Sequence, residues 1–199
     1  TFSAGGQGRR NDITKYKDAI LSGKRRSELL EEYPLQCAKY PKLIGFARGA
    51  YRPPIKLDRI VRLNYGATGT GKTRFAYDTF GEDLYDVPVS SGQIWFDNYD
   101  SQKAVLLDDF AGRASKMTLN YVLKLLDIYP IQVPVKGSFV WWDPDYIVIT
   151  TNIHPYNWYE WEGREEQYRA LMRRITHIYE YKEDGEVSFI SEELRPRWI

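Results

Sequence analysis

Eight consecutive residues carry the clearest chemistry in this chain: Gly66, Ala67, Thr68, Gly69, Thr70, Gly71, Lys72 and Thr73. They fit the pattern G-x-x-x-x-G-K-[ST], with a β-rich run before and a helical pattern after. Glycines at these places let the backbone curl so that its N–H groups converge on phosphate oxygens, and a helix N-terminus behind them adds partial positive charge. Lys72 supplies a point charge for the outer phosphates. The Thr73 hydroxyl can ligate Mg²⁺. The chemistry this implies is binding of a nucleoside triphosphate, ATP, with its metal.

Two further runs end in polar residues. Val105, Leu106 and Leu107 are followed by Asp108 and Asp109, the first of them 36 residues after Lys72. In a parallel sheet the C-terminal ends of strands face the ligand crevice. Asp108 is therefore expected to hold the Mg²⁺ hydration shell and Asp109 to polarise an attacking water, since Mg²⁺ needs few carboxylates beside water and phosphate. Tyr146 to Thr151 is a second such run, ending at Asn152, a candidate to orient the water or touch the γ-phosphate. Taken locally, Asn152 reads equally well as a turn former. His154 and His177 do not form a metal pair by spacing.

The elements that must position these groups are legible in outline. Ile60–Tyr65, Ala104–Asp108 and Tyr146–Thr150 read as strands, and Gly71–Phe80, Leu119–Ile128 and Arg164–Arg174 as helices; such alternation predicts an α/β sheet. Ile131–Val135 and Ser138–Trp142 form a hairpin through Lys136-Gly137, and Tyr179–Lys182 and Glu186–Ile190 a second through Asp184-Gly185. Before the sheet, residues 11–49 read as short helices. Asn11 or Asp12 caps the first, Ser27 the second, and Pro34 opens a third segment carrying Leu35, Tyr40, Leu43 and Phe46. Helices this short need partners, within the chain or across subunits. The expected organisation is a linker at 1–10, a helical domain at 11–52, the α/β domain at 53–190 and a tail at 191–199. The Gly-rich linker suggests that the sequence begins partway through a longer protein.

Composition narrows the classes. The 199 residues are 43% hydrophobic and 28% charged, with 16 Tyr and 6 Trp, which excludes a disordered tail. No apolar run approaches the ~18 residues of a membrane span, so no membrane partner is expected. The one cysteine, Cys37, permits no internal disulfide and reads as a small core hydrophobe. The net charge of +1 conceals an asymmetry: residues 1–63 hold 14 Lys/Arg against 6 Asp/Glu, and the remainder 14 against 21. A basic arm on an acidic body suggests a polyanion partner, neighbouring copies of the body, or a solvated helical surface.

The ordered set of motifs resembles the superfamily 3 helicases, a branch of the AAA+ P-loop ATPases, and within them the replication-initiator (Rep) proteins of circovirus-like circular single-stranded DNA viruses. It comprises the glycine loop, Trp95-Phe96-Asp97-Asn98-Tyr99, the run ending at Asp108-Asp109, Tyr129-Pro130, Val135-Lys136-Gly137, the strand ending at Asn152, and Leu171-Met172-Arg173-Arg174-Ile175-Thr176. The resemblance implies a P-loop sheet flanked by helices with a small N-terminal helical oligomerisation domain. Asp108 would be the Mg²⁺ ligand, Asp109 the catalytic carboxylate, Asn152 the polar sensor, and Arg174, with Arg173 second, an arginine finger for a neighbouring subunit's nucleotide. Against the finger stands a surface salt bridge to Glu165 or Glu166. The resemblance further implies Lys136 as a DNA-gripping residue at a hairpin tip in a ring's pore, a hexameric homo-oligomer, single-stranded DNA as partner, a covalently linked N-terminal nicking domain, and residence in the host cell nucleus. Two other readings stay open: a P-loop small-molecule or nucleoside kinase, and a non-catalytic DNA-binding scaffold.

Overall fold

The computed structural model describes residues 11–88 and 94–190, so the expected linker at 1–10 and tail at 191–199 lie outside the described residues. Four short helices come first: α1 (Asn11–Leu21), α2 (Arg26–Glu32), α3 (Pro34–Lys39) and α4 (Leu43–Gly49). The α/β part follows as β1 (Ile60–Gly66), α5 (Lys72–Phe80), β2 (Leu84–Asp86), β3 (Ala104–Leu107), α6 (Leu119–Leu126), β4 (Ile131–Val135), β5 (Ser138–Trp142), β6 (Tyr146–Thr151), α7 (Glu165–Arg174), β7 (His177–Tyr181) and β8 (Val187–Ile190).

Six strands make one sheet in the order β2-β3-β6-β1-β7-β8. The first five are mutually parallel, and β8 closes the edge antiparallel to β7. Strands β3, β6 and β1 are apolar along most of their length because helices cover both sheet faces. Alternation along each strand sorts the side chains. Val61, Leu63, Val105, Leu107, Ile147 and Ile149 join the main core with α6 and α7. Leu106 and Val148 pack with Ala76, Phe75 and Phe80 of α5 on the other face. The hairpin β4–β5 stands apart as its own two-stranded ribbon with Lys136-Gly137 at its turn. Its base is anchored by Trp142, which is fully buried, donates its indole N–H to the Leu125 carbonyl at 2.9 Å and meets Phe96 edge-on.

The N-terminal helices have a core of their own, built from Tyr16, Ala19, Ile20, Leu29, Ile44 and Ala47. Cys37 is half-buried beside it, accepting a hydrogen bond from the Tyr16 hydroxyl at 3.3 Å. Two local readings need correction. Ser27 does not cap α2; the helix begins one residue earlier, and Glu28 reaches back to accept the Arg25 N–H at 2.6 Å. Pro34 opens α3, but that helix stops at Lys39, and Leu43 and Phe46 belong to α4. The core face of α6 is Leu119, Val122, Leu125 and Leu126, all buried. The three-residue edge strand β2 is too short to announce itself by periodicity.

Candidate nucleotide site

The glycine loop runs from the end of β1 into the first turn of α5, and its glycines answer to separate constraints. Gly66 (φ 151°) lies so close to β7 that a Cβ there would sit 2.1 Å from the Tyr181 carbonyl oxygen. Gly71 caps α5 in the left-handed region (φ 90°), where an L side chain is strained. Ala67, Thr68 and Gly69 are exposed, whereas Lys72 is buried. The Lys72 ammonium folds back onto the Ala67 carbonyl, which also accepts the Thr70 hydroxyl at 2.8 Å. Burial lowers the Lys72 pKa, and the charges of Asp109 and Asp108 oppose that shift. These two acids and the lysine therefore share one electrostatic neighbourhood.

Asp108 is held by two hydroxyls, one from a helix and one from the neighbouring strand. Thr73, in the first turn of α5, and Thr150, near the end of β6, both donate to Oδ1 of Asp108, at 2.6 and 2.7 Å. Thr150 also accepts the Asp109 N–H at 2.8 Å. Asp109 is exposed and adopts φ 45°, an unusual conformation for a residue other than glycine. The bend turns the chain off β3 at the point where a second carboxylate is presented to solvent. Thr73 and Asp108 offer hard oxygen donors side by side, which fits Mg²⁺ completed by phosphate and water. Among the described residues no cluster of three or more His, Cys, Asp or Glu could hold a metal alone.

Beneath the loop lies a support that sequence reasoning did not single out. Asn64 is fully buried in β1 and donates to the Lys72 carbonyl at 3.0 Å. Its side-chain oxygen accepts from Arg62 Nε at 2.7 Å. The Arg62 guanidinium is sandwiched between Phe75 (3.5 Å) and Tyr179 (3.6 Å) and donates to the Tyr181 hydroxyl at 3.1 Å. Thr150 likewise lies inside the Tyr146–Thr151 run, where the sequence pattern assigns a role only to the Asn152 that follows. A polar residue in an otherwise apolar strand was the available signal for both Asn64 and Thr150.

The remaining candidates lie apart or at the margin. Asn152 is exposed just past β6 and lines an open hollow with Tyr65, Gly66 and Ala67. Arg173 and Arg174 end α7 at the other end of the sheet: Thr176 bonds to Val61, the second residue of β1, whereas the glycine loop follows the last. At ~3.3 Å per residue, that separation is roughly 17 Å. Arg174 does form an ion pair, but with Asp127 rather than Glu165 or Glu166. Lys136, at the tip of the β4–β5 hairpin, is largely exposed; its N–H bonds Asp97 at 2.8 Å and its ammonium lies 3.4 Å from the same carboxylate.

A mostly parallel sheet, a glycine loop between β1 and α5, and an acid at the end of β3 define the fold of a P-loop NTPase. Residues 63–153 match the RNA helicase family. The chain is similar in sequence to the replication-associated proteins of circoviruses. It is 31% identical over 182 residues to that of Beak and feather disease virus, covering 91% of this chain and 58% of the relative. It is 33% identical over 154 residues to that of Canary circovirus, covering 77% and 51%. The chain thus spans a little over half the length of these curated relatives. Among solved structures it aligns with the S. cerevisiae Hsp104–ADP complex at 15% identity and TM-score 0.40, over 89% of this chain and 30% of that one.

Proposed function

We propose that this chain is the ATP-hydrolysing, superfamily 3 helicase portion of a viral replication initiator, acting as a ring, most simply a hexamer, on single-stranded DNA. In the full protein a nicking domain would precede it, and the work would be done in the host nucleus. The observation that carries the reading is the meeting of Thr73, Asp108 and Thr150 at 2.6–2.7 Å beside a glycine loop that tolerates no side chain at Gly66. Replication-associated relatives point the same way.

In this reading the N–H groups of residues 66–73 and the Lys72 ammonium bind the phosphates of ATP. Thr73 and Asp108 would hold Mg²⁺, which supplies charge neutralisation on the phosphates when bound. Asp109, exposed on its bent backbone, takes a proton from the attacking water, and Asn152 orients that water. Arg174 is too far from its own loop to serve it, so it would act on the nucleotide of a neighbouring copy, with Arg173 beside it as the second candidate. Lys136 would grip phosphate without reading bases, as a translocating motor requires.

The test is phosphate release by the assembled protein with ATP and Mg²⁺ and no acceptor, together with unwinding of a tailed DNA duplex and a matched RNA duplex. Sustained release, lost in Asp108→Asn, with DNA unwound in preference, is the expected result. A kinase would release almost no phosphate without acceptor. A scaffold would bind ATP without turnover. Preference for the RNA duplex would overturn the DNA assignment. Replacing Arg174 by Ala should cost roughly a thousandfold in turnover, the usual scale for an arginine finger.

A further inference from the structure

Arg174 is not a free side chain. Its Nε lies 3.1 Å from Asp127 Oδ2, Nη2 contacts the same oxygen, and Nη1 donates to the Ala170 carbonyl at 2.8 Å. Both partners of the ion pair are about three-quarters covered, at 22% and 25% exposure. A guanidinium has five N–H bonds in a fixed plane. The Asp127 and Ala170 contacts use three of them, and two N–H bonds remain.

Asp127 is itself held from behind. It follows α6 directly, its Oδ1 accepts the Ile128 N–H at 2.8 Å, and its backbone carbonyl accepts from Arg59 Nη1. Arg59 is only 5% exposed and donates from Nε to the Pro144 carbonyl at 2.8 Å. Its Nη2 is buried without a partner among the described residues. Arg59, Asp127, Arg173 and Arg174 line one cavity, of about 360 Å³, at the end of the sheet away from the glycine loop. Burying an arginine to hold two backbone carbonyls, one of them Asp127's, with a third nitrogen unpaired among the described residues, is a costly arrangement if Asp127 only ends a helix.

We propose that Asp127 is the positioning residue for Arg174: it fixes the guanidinium plane and presents the free edge to the neighbouring copy's nucleotide, with Arg59 holding Asp127 in place. The proposal rests on the reading of Arg174 as a residue acting in trans. A loosely held arginine would have to be ordered at each turnover, and misplacement of about 1 Å can cost up to a hundredfold in rate. A clamped arginine has lost that freedom before the neighbour arrives.

Subunit mixing separates the two ideas. Lys72→Ala subunits have a dead site but an intact Arg174; Arg174→Ala subunits have an intact site but no arginine to lend. Mixed rings should hydrolyse ATP where neither parent does. With Lys72→Ala/Asp127→Asn as the donor, the recovered kcat should fall about tenfold while KM for ATP stays put, because the host subunit's loop is untouched. Asn at 127 can still accept the Ile128 N–H, so melting of the donor should change little. Lys72→Ala/Asp127→Glu keeps the charge but fits the cap badly, and should recover more than the Asn donor. Equal recovery with Asp and Asn donors, or Asn ahead of Glu, overturns the positioning role while leaving the trans arginine intact. Full activity of Arg174→Ala alone overturns the trans arginine, and the proposal with it.

Discussion

At the scale of single residues, Thr150 ties the two acids to each other. Its hydroxyl donates to Asp108 and accepts from the Asp109 backbone, and the side chain is 1% exposed. Thr150→Val keeps the shape and removes both bonds, leaving the Asp109 N–H without its acceptor. The expected cost is about 1–2 kcal/mol of stability and a shift of the Mg²⁺ dependence of phosphate release to higher concentration, read by titrating the metal at saturating ATP. An unchanged Mg²⁺ dependence would remove Thr150 from the site. Lys72 gives a pH prediction. Burial lowers its pKa, so it loses its charge at lower pH than an exposed lysine of ordinary value 10.5. KM for ATP should therefore begin to rise on the alkaline side before that value, with kcat less affected; a profile flat up to it would contradict the burial argument. Lys72, Thr73, Asp108 and Asp109 were legible in the sequence because their spacing reports the loop and the strand end directly. Asn64, Thr150 and Asp127 were not, because each matters through a partner at least eight residues away, which no local pattern records.

Elements show the same division. The strand–loop–helix unit and both hairpins could be read in advance, since apolar runs, Lys136-Gly137 and Asp184-Gly185 are local signals. The order β2-β3-β6-β1-β7-β8 is a property of crossovers, and the strand β2 exists only because β3 is there to pair with it. Gly66 shows how an element constrains a residue. Its Cα faces the backbone of β7, and a methyl group would lie 2.1 Å from the Tyr181 oxygen, so Ala cannot be placed without moving a central strand. Gly66→Ala should cost about 3 kcal/mol or more, a fall of roughly 10 °C in melting temperature for a chain of this size. Gly137, at the hairpin tip with φ +80° and open space around it, provides the control. Gly137→Ala should cost only about 1 kcal/mol. Similar melting temperatures for the two variants would mean that the β1–β7 approach is looser than the geometry requires.

The whole molecule accounts for much of the charge asymmetry that the sequence left ambiguous. Arg59 and Arg62 are buried in the α/β part, and three arginines of the helical part meet acids of the other. Arg25 pairs with Asp83, and both Arg26 and Arg48 pair with Asp100. These basic groups hold the chain together, so the excess does not by itself signal a polyanion. Asp100 is the centre of the seam: 9% exposed, it contacts Arg48 and accepts the Arg26 N–H at 2.6 Å, while Trp141 of the hairpin donates to the Gly49 carbonyl at 3.2 Å nearby. Removing one member of such a pair leaves the other buried and uncompensated, at about 3 kcal/mol; removing both can restore much of the loss. Asp100→Ala should therefore loosen the helical unit, seen as faster amide exchange in α1–α4 with the α/β core unchanged. ATP binding should persist, because the helical unit contributes none of the candidate site residues. Asp100→Ala/Arg48→Met should return part of the protection, since the stranded charge is gone even though the Arg26 N–H has lost its acceptor. If the double variant exchanges as fast as the single one, the seam is held by the Arg26 backbone and the Trp141 contact rather than by the ion pair. In either case the helical unit stays joined to the hairpin as well as to the sheet, because α4 packs directly on β5.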